Sequence, residues 1–274
     1  MPQIFDLLPW RLREPARKMY QRLEYLTGVY IGRRDPLIPP AYLHDIGGTE
    51  HVAVGEEFLL HFINLAKLKP DEHVLDVGSG TGRMARPLTR YLKGGTYDGI
   101  DIVDESVRWC RKVYARYPNF QFHYSDIYNS LYNGNGRYQA SEYRFPFESS
   151  SFDFAFLGSV FTHMLAKDME NYLAELTRVL KKGGRCLITY FLLYPESLQR
   201  INDKVSPLTF AHEVGGSRVE MKATPEYCVA YEETRIRQLY EKFGFAVQEP
   251  VYCGSWCGRK DWLSYQDLVV ATKV

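Results

Sequence analysis

Residues 76 to 82, DVGSGTG, set an acid ahead of three glycines at alternate positions, directly after the apolar pair Val74 and Leu75. A glycine-rich turn between a strand and a helix lets the main chain approach a ligand closely and aims free amide groups at it. A dinucleotide fingerprint would need G-x-G-x-x-G. Counted from Gly78, the second glycine is Gly80, but Arg83 stands where the third is required, which weakens a nicotinamide reading. Two more acids close apolar segments downstream, Asp101 in TYDGID and Asp126 in HYSDIY, and His163 follows FDFAFLG in SVFTHM. A lone acid at a strand end is most often a cap or turn residue, whereas a histidine after a strand's carboxyl end is a candidate general base near neutral pH.

These residues need elements to hold them. HVLDV reads as a short strand, followed by a helix from about Thr81 to Leu92 and a second strand at TYDGID. Asp104 can cap the helix ESVRWCRKVYARY, which stops before Pro118, and FQFHYS is a third strand. FDFAFLG and RCLITYFLL are further strands, separated by the helix DMENYLAELTRVL and a glycine stop at Gly183 and Gly184. Thr224 and Pro225 open a last helix running to Phe243, and FAVQEPVYC and YQDLVVATKV form a closing antiparallel pair. Alternating strands and helices imply parallel pairing with right-handed crossovers, an α/β fold. Two insertions interrupt the alternation, residues 128–146 and residues 194–223, the second with a hairpin turning at Gly215 and Gly216.

Ahead of this domain, Leu12, Ala16, Met19, Leu23 and Leu26 fall on one helical face, then RRDPLIPPAY forms a Pro-rich linker and residues 52–68 another helix. The organisation expected is a helical lid and linker over residues 1–50 and one domain over 51–274. The apolar face is expected to fold over the pocket or to pair with a second copy as a homodimer. Arg11, Arg13, Arg17, Lys18 and Arg22 admit a membrane surface as a third occupant, disfavoured because Glu14 and Glu24 interrupt the charge.

Thirty-four basic and 33 acidic residues leave a net charge of +1, so composition offers no bias toward nucleic acid or anionic lipid. The first residues lack the pattern of a signal peptide, and no window approaches a membrane span, so a cytoplasmic protein is expected, without a membrane partner. Five cysteines, at 110, 186, 228, 253 and 257, make neither a disulfide framework nor a paired zinc site and read as free thiols.

The pattern D-x-G-x-G-x-G, with the acid before the first glycine, resembles the first motif of the class I S-adenosylmethionine-dependent methyltransferases. The resemblance spans about residues 72 to 192, where FPFESSSFDFAFLGSVFTHM and YLAELTRVLKKGGRCLITY are similar to the fourth and fifth segments of the type 11 subgroup, which methylates small molecules. It implies a Rossmann-like seven-stranded, mostly parallel sheet with helices on both faces and one antiparallel strand, and S-adenosylmethionine as cofactor. It assigns the loop to Asp76, Gly78, Ser79, Gly80 and Gly82, with Asp76 facing the methionine end. Asp101 matches the acid that accepts from the ribose hydroxyls, with Ile102 beside it. Asp126 matches the acid that binds the adenine amine, and Ile127 packs on the ring and supplies an amide. Gly158 and Ser159 complete the cofactor set.

A sulfonium methyl is an activated electrophile, so such an enzyme aligns an acceptor and removes its proton where needed. His163 is the candidate base, against the alternative that it caps or packs at the next helix. No metal is expected, because AFLGSV has no carboxylate where metal-dependent catechol methyltransferases carry a ligand; Asp168 reads as a helix cap and Asp153 as a turn acid. The acceptor is expected against the N-terminal segment, the second insertion and YCGSWCGRKDW, with Trp256 and Arg259 as leading contacts and Tyr194 and His212 behind them. The expected reaction is O-methylation of a small molecule. Methylation of nitrogen, sulfur or carbon, and a non-catalytic S-adenosylmethionine-binding protein, are the alternatives. A nucleic-acid acceptor is not expected, since there is no basic stripe and no Pro-Pro motif after the fourth strand.

Overall fold

Side-chain alternation along the apolar runs decides both faces of a central sheet. The computed structural model describes residues 8–43 and 50–274; residues 1–7 and 44–49 of the expected N-terminal segment lie outside the described residues. The helices are α1 (Trp10–Tyr30), α2 (His51–Asn64), α3 (Ala85–Tyr91), α4 (Asp104–Val113), α5 (Ala166–Val179), α6 (Pro195–Asn202) and α7 (Glu233–Lys242). The strands are β1 (His73–Val77), β2 (Thr96–Asp101), β3 (Phe120–Tyr124), β4 (Phe152–Leu157), β5 (Leu180–Tyr190), β6 (Leu192–Leu193), β7 (His212–Val214), β8 (Ser217–Val219), β9 (Val229–Glu232), β10 (Phe245–Val247) and β11 (Asp267–Lys273).

Seven strands form one sheet in the order β10-β11-β5-β4-β1-β2-β3. Strands β5, β4, β1, β2 and β3 run parallel, and β11 is antiparallel to both β5 and β10. This is the expected fold. Period-two alternation sends Val74, Phe154 and Phe156 to one face, against α2, α3 and α4, and sends Leu75, Val77, Ala155 and Leu157 to the other, against α5 and α7. The chain winds outward from β1 through β2 to β3, then returns to β4 on the opposite side of β1. Between β1 and β4 the winding reverses, and a crevice opens there at the carboxyl ends of the strands. The glycine loop follows β1 and His163 follows β4, so topology alone brings them to one crevice.

A smaller sheet, β6-β9-β8-β7, is built from the two residues just before the second insertion, the insertion itself and the segment after it. The hairpin turns at Gly215 and Gly216, both at positive φ, as its sequence implies. Three local expectations are corrected. The segment after Thr224 is not one helix: Pro225–Tyr227 is a single 3₁₀ turn, β9 follows, and α7 starts at Glu233. Val229, Ala230 and Tyr231 are buried in the smaller sheet, where a short apolar run gains ladder hydrogen bonds as well as burial. Asp104 is the first residue of α4 rather than its cap, and it pairs with Arg108 at 2.9 Å. Asp168 is inside the first turn of α5, whose cap position is Leu165.

The N-terminal helix is present as α1, yet no described residue of it lines the crevice, where α2 supplies the wall instead. Residue 153 behaves as a structural acid, accepting the His73 N–H at 2.9 Å and the Lys181 ammonium at 2.7 Å across the start of the sheet.

Candidate cofactor and acceptor site

A cavity of about 690 Å³ runs from the glycine loop to His163, a size ordinary for a small-molecule site. The loop is fixed by its own chemistry. Gly78 has φ +84°, and a Cβ there would sit 2.4 Å from Val160 Cγ2, so only glycine lets the turn pass under the segment after β4. Amides of Gly78 and Ser79 donate to the Ile100 carbonyl at 2.8 and 3.1 Å. Asp101 then ties the two strand ends together, accepting the Gly80 N–H at 2.6 Å on one oxygen and the Val103 N–H at 2.8 Å on the other. A carboxylate can accept more than one hydrogen bond per oxygen, which suits it to a ligand hydroxyl as well.

Ser79 Oγ is buried with no hydrogen-bond partner among the described residues. An orphaned hydroxyl beside a cradle of bare backbone fits a polar ligand that reaches close to the main chain. Ile102, Ile127, Gly158 and Ser159 line the same cavity, and Ser159 is held at φ +59° with its amide donating to Thr189 Oγ1 at 2.8 Å. Asp76 is buried beneath the loop and accepts the Tyr97 hydroxyl at 2.5 Å. Burial pushes its carboxyl up to about 8, the Tyr97 hydrogen bond opposing and the nearby Asp101 adding.

Because that folded value lies above the ordinary 3.8, the folded chain holds a proton that the unfolded chain has lost, and stability declines as pH rises from about 4 to about 8. Substituting Asp76→Asn is expected to flatten this slope, so that the melting temperature of the variant drops less than that of the parent between about pH 5 and pH 8. Identical slopes in differential scanning calorimetry would show that Asp76 is ionised in the fold.

Two residues of the expected cofactor set are engaged within the chain itself. Asp126 does not line the cavity: its carboxylate accepts Arg137 Nε at 2.5 Å and the Tyr124 hydroxyl at 3.0 Å, and the Arg137 cation holds it below the usual carboxylate range. Its neighbours Ser125 and Ile127 face the cavity, as period-two alternation requires. The Ile127 amide donates to the Ser125 carbonyl at 2.8 Å, and the residue lines the cavity.

At the far end, His163 ends a 3₁₀ turn, Phe161–His163, with the edge of its ring against Tyr132 at 5.6 Å. Its Nδ1 lies 3.1 Å from the main-chain carbonyl of Glu226. A carbonyl can only accept, so Nδ1 carries the proton and Nε2 carries the lone pair. Burial lowers the imidazole pKa, with the carbonyls of Glu226 and Tyr227 partly opposing, and the ring is therefore neutral at pH 7. The Glu226 carboxylate accepts the amide and hydroxyl of Ser130, stitching the 128–146 insertion to the segment beyond the hairpin. Asn129, Tyr132 and Glu226 thus form one wall, with Asp168 and Tyr172 beside them. Desolvation raises the Asp168 carboxyl, with Glu226 adding to it.

None of the four acceptor contacts expected from the sequence lines this cavity. Trp256 is fully buried between Phe191 and Phe210, its indole N–H donating to Asp267 at 2.7 Å. Arg259 donates to the Tyr194 hydroxyl at 2.8 Å and pairs with Glu196, which ties both down outside the cavity. His212 is exposed on β7. The same final connection does reach the cavity, but through Ser255, Trp262, Ser264, Tyr265 and Gln266.

Residues 75–188 match the family model of a methyltransferase domain. Those residues thus correspond to a methyltransferase domain of the kind that the glycine loop resembles. A demethylmenaquinone methyltransferase of Tropheryma whipplei is 32% identical over 120 residues, covering 44% of this chain and 42% of that protein. An O-methyltransferase of Penicillium expansum is 34% identical over 122 residues, covering 43% and 37%. The chain therefore matches about two fifths of the length of these relatives. A crystal structure of an S-adenosylmethionine-dependent methyltransferase from Aquifex aeolicus superposes with a TM-score of 0.53 at 19% identity, over 88% of this chain and 100% of that one, a likeness of fold. The cofactor of the methyltransferase domain is S-adenosylmethionine, and the orphaned Ser79 hydroxyl, the bare Gly78–Gly80 cradle and the Asp101 carboxylate fit it.

Substituting Asp101→Ala removes a charged acceptor and the tether on Gly80 together. Affinity for the product S-adenosylhomocysteine is expected to fall by about 1.5–3 kcal/mol in titration calorimetry. Unchanged affinity would take Asp101 out of the site.

Proposed function

We propose that the protein transfers a methyl group from S-adenosylmethionine to a hydroxyl of a small, ring-bearing acceptor, with His163 as the base. When bound, the cofactor supplies an electrophilic sulfonium methyl. Everything else falls to the chain: the loop and Asp101 fix the ligand, while the acceptor end of the cavity holds a planar group among Tyr128, Tyr132, Trp262 and Tyr265. His163 takes the acceptor proton on Nε2 as the new bond forms. The observation that carries this reading is the hydrogen bond from His163 Nδ1 to the Glu226 carbonyl, which presets the tautomer a base requires. Support for a small acceptor comes from the relatives named above, one acting on oxygen and one on a quinone precursor by their descriptions.

The reading is tested by following methyl transfer to a panel of phenols, amines and thiols by mass spectrometry, in the parent and in His163→Gln. Transfer to a phenol that collapses in the variant supports it. Transfer only to amines, thiols or carbon, indifferent to His163, points to another acceptor atom. Product binding without transfer to any acceptor favours a cofactor-binding protein.

A further inference from the structure

Helix α1 is held to the body along one side only. Tyr25 is its buried residue; the hydroxyl donates to the Pro36 carbonyl at 2.6 Å and the Arg34 guanidinium lies over the ring at 5.4 Å. Leu12, Met19, Leu23, Leu26 and Tyr30 are 54, 62, 56, 46 and 92% exposed. At about 100° per residue these five side chains fall within about 40° of one line along the helix, and Tyr25 lies about 140° away from it. The apolar stripe thus points away from the protein it belongs to.

The charges flank that stripe. Arg13 and Arg17 lie on one side and Arg11, Lys18 and Arg22 on the other, at about 80° to 140° from its centre, and all five are exposed. Glu14 is behind, about 160° round and paired with Arg17 at 3.6 Å, which leaves Glu24 as the acid nearer the stripe. An apolar stripe bordered by cations on both sides is the pattern of a helix lying in the plane of a membrane interface, with its apolar side chains among the acyl chains and its cations level with the headgroups.

We propose that α1 docks the protein onto an anionic lipid surface. Charge complementarity selects this occupant over a second copy of the chain. Pairing two α1 stripes would bring together two sets of five cations against two acids each, whereas anionic headgroups neutralise them. The whole chain has a net charge of +1, of which α1 with five cations and two acids contributes +3, so the remainder is slightly acidic and attraction is concentrated on the helix. No helix among the described residues is long and apolar enough to cross a membrane, and surface docking needs none.

The full chain is floated with vesicles of phosphatidylcholine alone and of phosphatidylcholine with about 30% phosphatidylserine. Binding to the anionic vesicles is expected, at least about tenfold weaker on the neutral ones and weakened again by high salt. The pair Leu23→Asp and Leu26→Asp should abolish it, and Arg11→Gln with Lys18→Gln and Arg22→Gln should weaken it about tenfold or more. Those side chains are exposed, so the variants should keep the parent affinity for S-adenosylhomocysteine, which controls for folding. Absence of flotation with anionic vesicles, or equal binding to neutral ones, overturns the proposal. So does a dimer in light scattering that Leu23→Asp and Leu26→Asp dissociate, which would make a second copy the occupant.

Discussion

Substituting His163→Ala is expected to lower kcat about a hundredfold or more while leaving affinity for S-adenosylhomocysteine within about a factor of two, because a missing base acts on the transition state rather than on ground-state binding. The sharper variant is His163→Gln. Glutamine can still donate an N–H to the Glu226 carbonyl and fill the space against Tyr132, but it cannot take a proton, so a structural role would be largely rescued and a basic role would not. The pH profile supplies a second reading. Burial depresses the imidazole pKa, so the neutral, proton-accepting form persists below the ordinary histidine range. The parent rate should therefore stay flat through neutrality and fall only at acid pH, and that limb should vanish in the variants. A His163→Gln enzyme with the parent rate and profile would mean that the acceptor needs no such base or that another group supplies it. Asp168 would be the first to examine, as its carboxyl is raised by the same buried wall.

How far the sequence could be read depended on whether a periodicity was present. Strands β1 to β5 and the helices between them announce themselves through their periodicities, although Gly183 and Gly184, expected to stop α5, lie within β5, which begins at Leu180; the loop after β1 has a spacing that few ligands explain. His163 was legible for the same reason: strand order puts the end of β4 beside the end of β1. Asp126 shows the limit of such reading. An acid near a strand end can face either side, and the position of the last hydrogen-bonded pair decides which; Ser125 and Ile127 turn inward and Asp126 turns out to Arg137. The final connection has no periodicity, so its two tryptophans could not be told apart: Trp262 reaches the cavity and Trp256 is core. Glu226 follows Pro225 on one short turn, and its main-chain carbonyl, which the residue type does not encode, is what meets His163.

Trp256 should behave as a stability residue rather than a substrate contact. Truncation to alanine removes a fully buried indole packed between Phe191 and Phe210 and is expected to cost about 3–5 kcal/mol of unfolding free energy. Trp256→Phe isolates the hydrogen bond. It keeps most of the volume but leaves Asp267, which also accepts the amides of Gly254 and Leu192 at 2.7 Å, without its third donor. Burial already raises the Asp267 carboxyl to about 6, against those three hydrogen bonds, so losing one raises it further. A folded pKa above the ordinary 3.8 means that stability falls as pH rises toward the folded value, and the variant extends that fall to higher pH. Its cost should accordingly be larger at about pH 8, where the carboxylate is charged, than at about pH 5, where protonation relieves it, with about 1.5–3 kcal/mol lost at the alkaline end. Urea unfolding at the two pH values measures the difference. A cost independent of pH would separate Asp267 from the tryptophan, and a raised acceptor KM without any loss of stability would return Trp256 to the acceptor site.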